Sequence, residues 1–84
     1  MKTSDRFLAS NYLAGVVRVI DFGRDKHGDT AYLQKTPSYH LGKALKHCIA
    51  FVREPYDAET GENHLCHVGA RVYFAYDCWL NRHH

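Results

Sequence analysis

Thr36-Pro37-Ser38-Tyr39-His40-Leu41-Gly42-Lys43-Ala44-Leu45-Lys46-His47-Cys48-Ile49-Ala50-Phe51-Val52-Arg53 carries the clearest structural signal in the chain. Thr36 is a good N-cap, and Pro37 suits the first helical turn, where its missing N–H costs nothing. Leu41, Leu45, Cys48, Ile49 and Val52 recur at helical spacing and are expected to form a buried stripe. Pro55 stops the pattern, because the residue before a proline avoids the helical region. The stretch predicts a helix to about Arg53.

On its N-terminal side a first helix is expected from near Asp5 to near Lys26. Ser4 is its candidate cap, and Leu8, Tyr12, Val16, Val19 and Gly23 share one face. Gly15 and Gly23 weaken it, each costing ~1 kcal/mol against Ala in a helix interior. Lys26, His27 and Gly28 suit a helix C-terminus, and Asp29 to Lys35 reads as a polar connection. On the C-terminal side a third helix is expected from about Asn63 or His64 to Asn81. Leu65, Val68, Val72, Tyr76 and Trp79 give it an apolar face. No strand-period segment competes strongly, although Arg71 to Tyr76 is rich in β-formers, and there are no repeats. The expected fold class is all-α, with three amphipathic helices in antiparallel succession forming one domain.

At 84 residues the chain buries only a modest core. Six Tyr, four Phe and Trp79 exceed what one small core needs, so a homo-oligomer is expected to complete the fold. Apolar content of 45% with 24% charged residues excludes a disordered chain. The net charge of +2 is spread without an arginine-rich run, which argues against long nucleic acid and for a small anionic ligand. No apolar run reaches membrane-spanning length and no signal peptide is visible, so no membrane partner and a cytoplasmic location are expected. Cys48, Cys66 and Cys78 are odd in number and lie within helical patterns, which suggests reduced, buried or semi-buried thiols. The terminal His83 and His84 are assigned no role.

Chemistry concentrates in Asp57-Ala58-Glu59-Thr60-Gly61-Glu62-Asn63-His64-Leu65-Cys66-His67. A turn with three carboxylates runs into two histidines at i and i+3, one helical turn apart on one face. Such a group can hold a divalent metal, contact phosphate or move a proton. On a helical wheel His64, His67, Arg71, Phe74 and Cys78 form a stripe beside the apolar face of the third helix. His40, Lys43, His47 and Phe51 form its counterpart on the second. Packed as an antiparallel pair, the two stripes line one groove with the carboxylates at one end. The plain alternative is a solvated face, which every amphipathic helix has. A His-x-x-His pair alone makes no zinc site, which needs three or four ligands; His47, Asp57 and Glu59 are the further candidates. Glu59-x-x-Glu62 has the spacing of magnesium-binding carboxylates in helical pyrophosphohydrolases, but Gly61 puts it in a turn. Neither a P-loop nor a Cys–His nucleophile with its third group is present.

These segments also carry a resemblance. Phe22-Gly23, Lys26-His27-Gly28-Asp29 and Ala31-Tyr32 come first, followed by Lys46-His47. Asp57, Glu59, Gly61, His64, Leu65 and His67 then match Asp-x-Glu-x-Gly-x-x-His-Leu-x-His without a gap. In this order the chain resembles a family of small phage and bacterial dATP/dGTP diphosphohydrolases, related by analogy to the all-helical MazG-type nucleotide pyrophosphohydrolases. The family shows Lys-Tyr-Gly-Asp and Asn-Trp where this chain has Lys26-His27-Gly28-Asp29 and Ala31-Tyr32.

The resemblance implies an all-helical oligomer with a purine-nucleotide site used with magnesium. In that reading Asp57 and Glu59 hold Mg2+, which polarises the phosphoryl group and orients water. His64, His67 and Glu59 are the catalytic candidates, the imidazoles carrying protons or donating to phosphate. Lys26 and Arg71 neutralise phosphate charge, Tyr32 stacks on the base, and His47, His64 and His67 complete the nucleotide-binding set. The expected function is that of a purine nucleotide-binding protein, a (d)NTP pyrophosphohydrolase of phage type. The alternative is a non-catalytic phage binder that sequesters a nucleotide signal of host antiviral defence, with the same cationic and aromatic groove and no metal. A third reading is a small regulatory protein whose aromatic surface binds another protein.

Overall fold

A computed structural model describes residues 3–8 and 10–83; His84 and the side chains of Leu8 and His83 lie outside the description, so the expected place of Leu8 on the first helix does too. The elements are α1 (Thr3–Leu8), α2 (Asn11–His27), a 3₁₀ turn (Ala31–Gln34), α3 (Pro37–Arg53) and α4 (His64–His83). The chain is all-helical, as expected. Among the described residues the one extended pairing is an isolated bridge between Tyr56 and Asn63. No described helix is long and apolar enough to cross a membrane.

The described residues form four α-helices rather than three, because the expected first helix is interrupted at Ser10. Ser10 adopts an extended backbone with ψ 150°, and its hydroxyl accepts the Leu13 N–H at 3.2 Å. Its own N–H closes the preceding turn on the Phe7 carbonyl at 3.0 Å. A serine that satisfies the first free N–H of a new helix competes with continuing the old one. Downstream the caps follow the sequence. Gly28 ends α2 at φ 97°, its N–H on the Arg24 carbonyl at 2.8 Å, and Thr36 accepts the Tyr39 N–H at 3.0 Å to start α3. The helix α4 begins at His64 and continues past the expected Asn81.

A second correction concerns the faces of α3 and α4. The stripe expected to be buried points outward: Leu41, Leu45, Cys48, Ile49 and Val52 are all exposed, Val52 at 83%. Leu65, Val72, Tyr76 and Trp79 on α4 are exposed as well. The helices meet instead through their ring-bearing stripes. His40 lies against Phe74, and His47 against His64 and His67. Each helix has two candidate inner faces, and the contact within the chain uses the one that brings its own hydrogen bonds. Ala44, buried one turn from both His40 and His47, lets the backbones approach. The polar cost is met in full: no buried side-chain nitrogen or oxygen among the described residues lacks a partner.

The apolar core proper lies between α2 and α4, where Val16 and Val19 pack on Cys66 and Ala70 with Ile20 at the edge. Two glycines set this approach. A Cβ on Gly15 would fall 2.5 Å from the Cys66 sulfur. One on Gly69 would strike the Tyr12 hydroxyl and lie 2.8 Å from a Val16 methyl. That Tyr12 hydroxyl donates to the Leu65 carbonyl at 3.0 Å, pinning α2 across the first turn of α4.

Gly69→Ala is therefore expected to destabilise by roughly 1–3 kcal/mol through overpacking. Gly42→Ala, where an added Cβ meets nothing within 4 Å, should stabilise by up to ~1 kcal/mol. Urea denaturation of both variants checks the pair, and a Gly69→Ala midpoint at or above the parent would refute the close approach.

Candidate functional site

The acidic turn between α3 and α4 is a closed, hydrogen-bonded structure. The Asp57 N–H reaches the Glu62 carbonyl, the Gly61 N–H the Asp57 carbonyl and the His64 N–H the Pro55 carbonyl, each at 2.8 Å. Gly61 supplies the left-handed residue that the turn requires, at φ 74°. Inside it, the Asp57 carboxylate accepts the Thr60 N–H at 2.9 Å and the Thr60 hydroxyl at 3.1 Å. The Thr60 oxygen in turn accepts the Glu62 N–H at 3.2 Å and lies 2.8 Å from Nε2 of His67. Since the hydroxyl has spent its one proton on Asp57, His67 must be the donor, which fixes its Nε2–H tautomer.

Three imidazoles gather above this carboxylate. The Nδ1 atoms of His47 and His64 are 2.9 Å apart, and the His67 ring stacks on His47 at 4.4 Å and 12°. One ligand-type atom from each of His47, Asp57 and His64 lies within 4.8 Å of the other two. His64 is buried, and His47 and His67 are largely enclosed. Burial, with the neighbouring His67 and His64 rings, pushes His47 down to about 4. Burial also lowers His67, although Asp57 works against it. For Asp57 burial acts upward, but the Thr60 N–H and hydroxyl, then His67 and His47, outweigh it and hold the carboxyl below its ordinary range. At neutral pH His47 and His67 are thus neutral beside an ionised Asp57, the protonation state that metal ligation requires.

A cavity of about 420 Å³ lies farther along the same two helices, closed by the end of α2 and the 3₁₀ turn. Tyr32, Tyr39 and Phe74 give it aromatic walls, and Arg24, Lys35 and Arg71 give it positive charge; among the described residues no carboxylate lines it. Its floor is His40, 1% exposed, whose Nε2–H donates to the Tyr32 carbonyl at 2.9 Å. The other ring nitrogen accepts from Arg71 at 3.2 Å, and burial keeps this imidazole below its usual range. Tyr32 stacks on Phe74 at 4.5 Å and donates its hydroxyl to Asp77 at 2.5 Å.

Of the residues singled out from sequence, Tyr32 and Arg71 line the cavity. His47, His64, His67 and Asp57 form the cluster, two turns from His40 or about 10 Å along α3. Lys26 and Glu59 belong to neither, being joined to each other by an exposed ion pair at 2.7 Å. Glu62 is committed to Arg18. The carboxylates of Asp57 and Glu59 therefore serve different partners, and the ligand-type atoms grouped with Asp57 are imidazole nitrogens. That donor set does not fit magnesium, a hard ion that takes oxygen ligands. Arg24, Lys35 and Tyr39 line the cavity but escaped the sequence reading, and His40 was placed on the groove stripe without a role. Arg24 is on the same last turn of α2 as Lys26, and Lys35 adjoins the Thr36 cap, so folding the connection back over the start of α3 would have found both. His64 and His67 are interior rather than beside a core, so replacing them is expected to cost stability.

The lowered imidazoles make stability depend on pH. Unfolded His47 takes a proton near pH 6.5 and folded His47 near 4, so between these the unfolded chain binds more protons. Stability should be flat above about pH 7 and fall as pH drops from about 6.5 towards 4, with His67 and His40 adding the same sign. Denaturant midpoints in EDTA buffer across that range check it, and His47→Gln should flatten the curve. A midpoint unchanged down to pH 4.5 (roughly the lower edge of the window) would contradict the neutral cluster.

Neither a curated relative nor a solved structure matches this chain. A family does: residues 2–84 match the family described as dATP/dGTP diphosphohydrolase, N-terminal. The match takes in the α2 end, the 3₁₀ turn and the acidic turn together, and it supports a nucleotide pyrophosphohydrolase-like role at the level of the family. With a match that runs over both the cavity and the imidazole cluster, the chain belongs to the dATP/dGTP diphosphohydrolase N-terminal family.

Proposed function

We propose that the chain is a purine nucleotide-binding protein and acts as a phage-type (d)NTP pyrophosphohydrolase. The observation that carries this reading is the cavity, which sets three cations and three aromatic rings around a space free of carboxylates. Such a lining suits a flat base with an anionic tail. Phe74 covers one face of Tyr32, so the base uses the remaining surface of Tyr32 and Tyr39. The phosphates follow Arg24, Lys35 and Arg71, with the chain of the triphosphate pointing along α3 towards His47. Hydrolysis adds water at the α-phosphorus and releases pyrophosphate and the monophosphate, with His64 and His67 as proton carriers. Magnesium enters this reading on the phosphates of the nucleotide.

The alternative is a binder that sequesters a nucleotide signal of host defence without cleaving it. One observation favours it: the cavity carries three cations of its own, Arg24, Lys35 and Arg71, to which an anion can pair directly.

Incubation with dATP, dGTP and their ribonucleotides, with and without magnesium, followed by chromatography, separates the two. Monophosphate with pyrophosphate is the expected product, and bound but intact nucleotide favours the alternative. Arg24→Gln should weaken binding by about 10–100-fold, the loss of one charge-assisted contact worth roughly 1.5–3 kcal/mol, with little change in melting temperature. No nucleotide binding by the parent protein would remove both readings and leave the protein-binding one.

Self-association is part of the same proposal. The aliphatic stripe of α3, with Leu45 65% exposed, and the Val72, Tyr76 and Trp79 surface of α4 give a second copy an apolar face to cover. Sedimentation should show an oligomer at roughly tens of micromolar, and Ile49→Glu should dissociate it. A monomer at that concentration would overturn the claim.

A further inference from the structure

The imidazole cluster has a feature that neither nucleotide binding nor proton transfer uses. The His47 and His64 rings point the same kind of atom at each other, Nδ1 to Nδ1 at 2.9 Å. Two such nitrogens can bond only by sharing a single proton between two lone pairs. A Lewis acid placed between them would take both lone pairs in place of that proton, and the Asp57 carboxylate is within reach of the same point.

We propose that His47, His64 and Asp57 form a binding site for a borderline first-row divalent metal, Zn2+ by preference, and that Glu59 is no part of it. Two imidazoles and a carboxylate make a three-ligand set of the kind that leaves a coordination position open. Ideal tetrahedral ligation at about 2.05 Å would separate adjacent donors by roughly 3.4 Å. The nitrogen pair thus has to part by about half an ångström, and the carboxylate, within 4.8 Å of both, has to close in. Both are side-chain rotations on fixed backbone, since the turn that carries Asp57 is bonded to itself.

The surroundings are those of an ordered ligand set. Thr60 holds Asp57 through both its N–H and its hydroxyl, and His67 donates into that hydroxyl. Stacking of His67 on His47 fixes the plane of the ligating ring. Partners of this outer kind orient ligands and typically change metal affinity by about 10–100-fold when removed. The donors also select against magnesium, since imidazole favours zinc and its neighbours. The site shares His64 with the nucleotide reading but does not depend on it, and its test needs no nucleotide.

The experiment uses the full chain with His83 and His84 replaced by Ala, so that terminal imidazoles do not contribute, after chelator treatment. Titration calorimetry with Zn2+ should give one ion per chain, undisturbed by millimolar Mg2+ (on the order of a cellular excess). Co2+ should give visible bands of a low-symmetry, four- or five-coordinate site. His47→Gln and Asp57→Asn should each lower zinc affinity by more than about 100-fold, and Thr60→Val by roughly 10–100-fold, while Glu59→Gln leaves it unchanged. Circular dichroism checks that each variant folds; if one unfolds, the other ligand variant and the cobalt spectrum of the parent decide. Absence of binding, displacement by magnesium, or equal affinity in the folded ligand variants would overturn the site. Loss with Glu59→Gln would overturn the ligand set. Nucleotide cleavage without zinc binding would sink this inference alone, and zinc binding without nucleotide binding would sink the functional reading alone.

Discussion

His40 donates from Nε2 to the Tyr32 carbonyl and accepts at Nδ1 from Arg71, so one buried ring joins the 3₁₀ turn, α3 and α4. Each of these bonds fixes the other. The ring must carry its proton on Nε2 for the carbonyl, which leaves Nδ1 as the only acceptor available to the guanidinium. Protonating His40 would remove that acceptor and set two cations against each other in a poorly solvated place. The cavity exists because this arrangement holds. Tyr32 is also held by Phe74 and Asp77, and Arg71 has one N–H on His40 while its charge faces the cavity.

The same logic governs the rest of the α3–α4 seam. A contact made of imidazoles and an arginine gains less from water exclusion than one made of leucines. It stays ordered by satisfying every donor and acceptor it buries. A seam of this kind is directional: His47 meets His64 through one atom of each ring, and slippage by one residue would strand both. The small apolar core between α2 and α4 then contributes the non-directional part, with Gly15 and Gly69 letting the two helices close on Val16, Val19 and Ala70.

What the sequence revealed, and what it hid, follows from this division. Local signals were legible: Thr36 with Pro37 marks the start of α3, Gly28 the end of α2, and His64 the start of α4. Ser10 was just as strong a cap as Ser4, but a continuous apolar period across Leu8 and Tyr12 masked the break. The grouping of His40, His47, His64, His67 and Arg71 on matching stripes was also visible, since it depends only on helical spacing. Which stripe would turn inward was not, because two faces of one helix compete and the outcome depends on hydrogen bonds between residues far apart in the chain. The same limit applies to Asp57, whose ties to Thr60 and His67 arise only when the turn closes.

The turning of α3 has a consequence for the thiols. Cys66 and Cys78 are buried, both pushed up mainly by burial, and Cys78 donates to the Tyr32 carbonyl at 3.2 Å. Cys48 rides the outward stripe beside Ile49 and is exposed. Thiolate reagents discriminate on exposure and acidity. A maleimide dye would therefore modify one sulfur of three without any engineering. Its position in the middle of the aliphatic stripe would make its emission report on whatever settles against that face.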